Sequence, residues 1–274
     1  MKRILTAVLL IPLVLVLILW APLWLQMLAA WAVAELALYE YLVLADRSGT
    51  RVPRWLVLVC CAVLFAVAYG SSAFLLPTLG IFALLLLGVC SLRSPLDRML
   101  SDTATGFFGL LYVAFPLVLV PLLITQENGT ELLVFLLVVV WAGDILALYV
   151  GRLLGRHPMA PRLSPKKTWE GSLGSVIGSI LAGLAVVDCG NLLYRHGIDL
   201  LFYAQPWWYW VELAILLNVA AQIGDLLESA IKRGAGVKDS GTLLPGHGGV
   251  LDRIDALLLA LPVLWYTLLF RQAY

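Results

Sequence analysis

Long apolar runs, separated by short breaks of Gly, Pro and charge, organise this chain from end to end. Nine such runs stand out, at about residues 4–21, 23–45, 54–70, 73–92, 105–124, 131–152, 171–188, 207–230 and 249–270. A helix needs about 20 apolar residues to cross the ~30 Å hydrocarbon core of a bilayer. The pattern therefore predicts an all-α, polytopic integral membrane protein with about nine transmembrane helices. The weakest break is Ala21-Pro22; if it were not a break, every later loop would change sides of the membrane. The opening Met1-Lys2-Arg3 and Ala30-Trp31-Ala32 imitate a signal peptide and its cleavage site, but the apolar stretch runs on to Ala45, so two uncleaved helices are expected.

The cations test this topology, because short cytoplasmic loops carry the excess of Lys and Arg. With nine spans and a cytoplasmic N-terminus, 16 of the 18 Lys and Arg residues fall inside, leaving Arg195 and Arg271 outside. The C-terminus is then outside. No fixed-period repeat and no long linker is evident, so residues 1–274 are expected to form a single membrane domain, with N-terminal helices over 1–155 and catalytic helices and cytoplasmic loops over 156–274. Gly151-x-x-x-Gly155 and Gly174-x-x-x-Gly178 have the small-residue spacing that lets membrane helices approach closely.

Composition agrees with this class and removes others. The chain is 62% hydrophobic and 13% charged, and its net charge of +1 provides no basic field for nucleic acid. Cys60, Cys61, Cys90 and Cys189 lie in or beside apolar segments without metal-ligand spacing, and read as small core residues.

Charge in such a chain is costly at membrane depth, about 2.5–3.5 kcal/mol per group, so a dense cluster demands a function. Ser229-Ala-Ile-Lys232-Arg233-Gly-Ala-Gly-Val-Lys238-Asp239-Ser-Gly241-Thr-Leu-Leu244-Pro245-Gly-His247-Gly248-Gly249-Val-Leu-Asp252-Arg253-Ile-Asp255 is the densest. Asp225 precedes it within an apolar run, and Asp252 and Asp255 are spaced to share a helix face. Carboxylates converging on one point suit Mg²⁺, which is usually held by one or two carboxylates plus substrate phosphates. The competing reading makes Asp252, Arg253 and Asp255 an ion-pair network pinning two helices. The glycines suit a backbone cradle for phosphate, although no P-loop motif is present. A second cationic loop, Ser164-Pro165-Lys166-Lys167-Thr168-Trp169-Glu170-Gly171, falls on the same side. Asp144, Glu35 and Glu40 are further acids within apolar runs; the sequence does not determine whether Asp144 faces the same cavity as Asp225.

The 229–255 stretch resembles the signature of the phosphatidate cytidylyltransferase (CDP-diacylglycerol synthase) family, matching each of its defined positions without a gap, and 164–171 resembles that family's second element. The resemblance covers about the C-terminal 110 residues; the first 150 are similar only in hydropathy. It implies transfer of CMP from CTP to phosphatidate, giving CDP-diacylglycerol and pyrophosphate, at the cytoplasmic side of a bacterial inner membrane. It also implies Mg²⁺, with room for a second, monovalent cation such as K⁺, and allows a homodimer. Asp225, Asp252 and Asp255 are then the candidate metal ligands. Lys232, Arg233, Lys238, Asp239, His247 and Arg253 are candidates for charge neutralisation and catalysis, and Ser164, Lys166, Lys167, Thr168, Glu170, Ser229, Gly248 and Gly249 for substrate binding. Asp252→Asn is expected to abolish turnover while leaving the protein folded. Two alternatives remain: a cation or proton transporter using intramembrane carboxylates, and another Mg²⁺-dependent lipid-phosphate transferase.

Overall fold

A computed structural model describes residues 2–243 and 248–273, with side-chain surroundings for 11–243 and 248–270. The candidate His247 lies outside the described residues. The helices are α1 (Lys2–Trp20), α2 (Leu23–Arg47), α3 (Arg54–Gly70), α4 (Leu75–Arg93, after a 3₁₀ turn at Ser72–Phe74), α5 (Leu96–Gly109), α6 (Phe115–Ile124), α7 (Gly129–Leu154), α8 (Trp169–Arg195), α9 (Trp207–Gly234) and α10 (Leu251–Ala273). A π-helical turn, Leu110–Ala114, joins α5 to α6, so each apolar run has its helix. The protein is an all-α polytopic membrane protein. Among the described residues, seven helical stretches are long and apolar enough to cross a membrane; Ile11–Trp20 and Arg54–Gly70 are apolar but shorter. Large apolar side chains stand outward, such as Leu92 at 88% and Leu76 and Leu153 at 80% exposure, as helices facing lipid require.

The chain divides into two compact units interleaved in sequence. Unit 1 comprises residues 1–17, 21–122 and 231–254; unit 2 comprises 18–20, 123–230 and 255–274. In unit 1, Leu38, Leu42, Leu64, Leu86 and Leu110 are fully buried. The π turn accompanies close packing of α5 on α2: a Cβ at Gly109 would strike the Tyr41 ring, and the Tyr41 hydroxyl donates to Thr105 O at 3.1 Å. In unit 2, Phe135, Leu136, Leu213 and Leu217 form the core, with the Trp210 ring 4.9 Å from Phe135 and 5.0 Å from Tyr203.

The small residues do what their spacing implies. A Cβ at Gly174 would overlap Val150, and one at Gly178 would overlap Leu146, so α8 lies directly against α7. Cys60, Cys61 and Cys90 are buried as expected, but Cys189 is exposed, on the outer surface of α8. The cationic loop after α7 is more ordered than its composition suggests. It forms an antiparallel hairpin of β1 (Pro158–Ala160) and β2 (Ser164–Thr168), with Pro158 opposite Thr168 and Ala160 opposite Ser164. Proline at 158 and 165 and the short strands hid this pairing from a reading of periodicity.

Candidate functional site

In unit 2, α7, the hairpin, α8 and α9 enclose a cavity of about 280 Å³. Its polar lining is Asp144 from α7, Lys166, Lys167 and Thr168 from β2, Ser172 and Ser175 from α8, and Gln222 and Asp225 from α9. At 1.5 Å per residue, Asp144 and Asp225 lie about 15 Å and about 14 Å from the C-terminal ends of their helices. The cavity thus extends from the cationic hairpin along α7 and α9. Lys167 Nζ pairs with Asp225 Oδ2, and both side chains keep partial access, 28% and 33%. Pockets for whole ligands occupy about 300–1,000 Å³, so this volume suits part of a ligand rather than the whole of a large one.

Two local devices hold the hairpin in place. Thr168 caps α8, its Oγ1 accepting from Gly171 N at 3.1 Å. Glu170 accepts from Arg156 N at 3.1 Å, His157 N at 3.3 Å and His157 Nδ1 at 2.5 Å. Glu170 therefore straps the hairpin to α8, and its carboxylate is committed to that role.

A ladder of hydrogen bonds explains why the two carboxylates face one cavity. Ser172 Oγ donates to Gln222 Oε1 at 2.5 Å, and Gln222 Nε2 donates to Asn218 Oδ1 at 2.6 Å. Asn218 Nδ2 donates to Ser175 Oγ at 2.8 Å and to Ser179 Oγ at 2.7 Å, and Ser179 Oγ donates to Val139 O at 2.7 Å. Asn218, Ser175 and Ser179 are almost wholly buried, and α7 admits them only because residue 143 is glycine: a Cβ there would strike the Asn218 amide. The ladder sets the rotation of α9 against α7 and α8. Asp225, two turns beyond Asn218, and Asp144, next to Gly143, then both line the cavity.

In unit 1, the loop before α10 is clamped by two carboxylates. Asp252 Oδ1 accepts from Lys232 Nζ at 2.6 Å, while Oδ2 accepts from Ser240 N at 2.9 Å, Ser240 Oγ at 2.9 Å and Gly249 N at 2.8 Å. The ion pair is well buried, with side-chain exposures of 12% for Lys232 and 6% for Asp252. Glu40, buried in α2, accepts from Val250 N at 3.0 Å and Leu251 N at 2.9 Å, and at 3.0 Å from Ser240 Oγ it shares that hydroxyl's single proton with Asp252. It thereby satisfies N–H groups at the start of α10 that no helical carbonyl can reach. Two glycines make this closeness possible. Gly249 has no room for a Cβ, which would overlap the Glu40 carboxylate and the Ser240 hydroxyl. Gly248 has φ +80°, a left-handed conformation that also brings its backbone against Asp252.

Of the residues singled out from sequence, Lys166, Lys167, Thr168 and Asp225 share the unit 2 cavity. Lys232, Gly248, Gly249 and Asp252 share the unit 1 clamp. Arg233 Nη1 donates to Val237 O at 3.2 Å, closing the end of α9. Lys238, Asp239 and Arg253 are exposed, and Ser164 and Ser229 are half-buried. Asp255 Oδ1 accepts from Ala256 N at 2.8 Å. Among the described residues, no three His, Cys, Asp or Glu side chains are gathered as a metal site. The sequence reading left Asp144 undecided and gave Glu40 no role. The ladder residues Ser172, Ser175, Ser179, Asn218 and Gln222 passed unnoticed, although all five recur at helical spacing within apolar runs.

Comparison with known proteins places the chain. The model of the cytidylyltransferase family matches residues 1–270. A phosphatidate cytidylyltransferase of Brucella abortus is 44% identical over 158 residues, covering 57% of this chain and 54% of the relative. One from Staphylococcus saprophyticus is 40% identical over 140 residues, covering 51% and 50%. The chain spans about half the length of these curated relatives. With the family model matching nearly all its length, the chain belongs to the cytidylyltransferase family.

Proposed function

We propose that this protein is a phosphatidate cytidylyltransferase, making CDP-diacylglycerol and pyrophosphate from CTP and phosphatidate. Membership of the family supports the reaction type, and the names of the relatives support the lipid acceptor. The observation that carries the reading to particular residues is the unit 2 cavity, where Lys166 and Lys167 face Asp144 and Asp225. Cations and carboxylates around one small void suit a polyphosphate and its counter-ion.

A phosphatidate phosphate oxygen attacks the α-phosphorus of CTP; a new P–O bond forms as the bond to the β-phosphate oxygen breaks, and pyrophosphate leaves with the electron pair. The nucleophile is already anionic at neutral pH, so catalysis rests on positioning and charge neutralisation. Lys166 and Lys167 bind phosphate oxygens and offset the charge growing on the leaving group. The all-oxygen pair Asp144 and Asp225 fits Mg²⁺, which needs only one or two protein carboxylates when phosphates complete its shell. When bound, that ion would supply further neutralisation at the phosphates. Lys167 holds Asp225 by an ammonium, a contact that a stronger cation can replace. Asp252 enters the proposal with Lys232 as its partner, and the Glu40 clamp keeps that pair in place.

The active site is proposed to face the cytoplasm of a bacterial inner membrane, because the hairpin and the 232–249 loop carry most of the cations in the C-terminal half. The test is purified full-length protein with radiolabelled CTP, phosphatidate and Mg²⁺. A lipid-extractable labelled nucleotide is expected, and its absence under conditions that keep the protein folded would overturn the proposal.

A further inference from the structure

The loops that join α2 to α3 and α4 to α5 enclose a second cavity, of about 420 Å³, within unit 1. Arg51, Arg93, Ser94 and Asp46 supply its polar lining, and Val52 and Pro53 an apolar wall. None of the candidate active-site residues contributes to it. Its walls are pinned by Asp102, 1% exposed, which accepts from Arg51 N at 2.9 Å and from Ser94 Oγ at 2.6 Å.

The charge balance in this cavity is uneven. Asp46 lines it, but Asp46 Oδ2 takes two donors from Arg54, Nε at 2.8 Å and Nη2. Arg51 and Arg93 form no ion pair among the described residues, since Asp46 is held by Arg54 and the Asp102 carboxylate is taken up by Arg51 N and Ser94 Oγ. The Arg93 guanidinium lies 5.6 Å from the centre of the Trp55 ring. Trp55 is 55% exposed in the first turn of α3, and tryptophan at the end of a membrane helix marks headgroup depth. Arg47, Arg51 and Arg93 are all exposed, but only Arg51 and Arg93 line the cavity, so Arg47 is the cation that serves to orient the chain alone.

We propose that this cavity binds a phosphate group, either the headgroup phosphate of an anionic phospholipid or a soluble phosphate compound. Guanidinium forks match phosphate oxygens in bidentate fashion, and basic pockets between membrane helices hold anionic headgroups. The proposal is independent of the catalytic reading, and its test reads binding rather than turnover.

Native mass spectrometry of the full-length protein in detergent, titrated with phosphatidylglycerol or phosphatidylcholine, provides that test. Phosphatidylglycerol should bind at least about tenfold more tightly than phosphatidylcholine. The Arg51→Gln/Arg93→Gln variant should lose about 30-fold of that affinity, at roughly fivefold per arginine. Arg47→Gln should change it less than about threefold. Should the double variant fail to fold by circular dichroism, Arg93→Gln alone carries the test, with a loss of about fivefold. Competition by millimolar inorganic phosphate identifies a soluble ligand and its failure identifies the lipid, and either result upholds the phosphate site. Equal phosphatidylglycerol binding by wild type and the arginine variants, or an equal loss in Arg47→Gln, would overturn it.

Discussion

Each unit holds a lysine–aspartate pair, and the two differ in their surroundings. Lys167–Asp225 borders a cavity, with roughly a third of each side chain accessible. Lys232–Asp252 is well buried, and the remaining Asp252 oxygen takes three further donors. Identical chemistry therefore serves different ends. A buried, saturated pair stabilises a loop and is costly to break, whereas a half-exposed pair beside a void can exchange its partner for a ligand. The sequence reading treated both aspartates as equivalent metal ligands; in the structure each has a different setting within its own unit.

The most severe test of this contrast compares Asp225→Asn with Asp252→Asn. Both should lower CMP transfer by more than about a thousandfold, but thermal denaturation should distinguish them. Asp252→Asn leaves a buried ammonium without its counter-charge, at a cost of about 3 kcal/mol, and should lower Tm by more than about 5 °C. Asp225→Asn should stay within about 2 °C of wild type. This revises the expectation that Asp252→Asn leaves the fold intact, and equal Tm values for the two variants would erase the distinction.

Glu40→Gln ranks next. Its amide would set an N–H₂ group against backbone donors, costing about 1–3 kcal/mol. Because Glu40 acts through the loop, kcat should fall more than tenfold with KM for CTP changed less. Gly249→Ala, with a Cβ forced onto Glu40 and Ser240, should cost about 1–3 kcal/mol by overpacking. Gly234→Ala, where nothing lies within 4 Å of the added carbon, is the neutral control in the same denaturation assay. The smallest effect is expected for Asn218→Ala. Hydrogen bonds between membrane helices are worth about 0.6 kcal/mol each on average, so loss of the two that Asn218 makes to α8 should lower Tm by only about 2–5 °C. A larger effect on kcat than on Tm would confirm that the ladder orients Asp225.

Much of the architecture could be read in advance because it is local. Apolar runs reported the helices, and the chemistry of 164–171 and 229–255 marked the loops that carry charge. The hairpin at 158–168 escaped notice because its strands are short and proline-bearing. The exposure of Cys189 escaped for a different reason: in a membrane an outward-facing side chain need not be polar, so hydropathy does not separate core from lipid surface.

By itself the sequence determined that this is a helical membrane protein of the cytidylyltransferase type, with its cations concentrated in a few loops, since length, hydropathy and motif spacing are properties of neighbouring residues. Only the tertiary structure decided that Asp144 joins Asp225, that Glu40 grips a loop 200 residues away, and that Asp252 is a clamp. Helical periodicity orders residues around one axis; the rotation of that axis against its neighbours comes from packing, here from Gly143 and the Asn218 ladder, whose spacing marks a polar face but not the helix it meets.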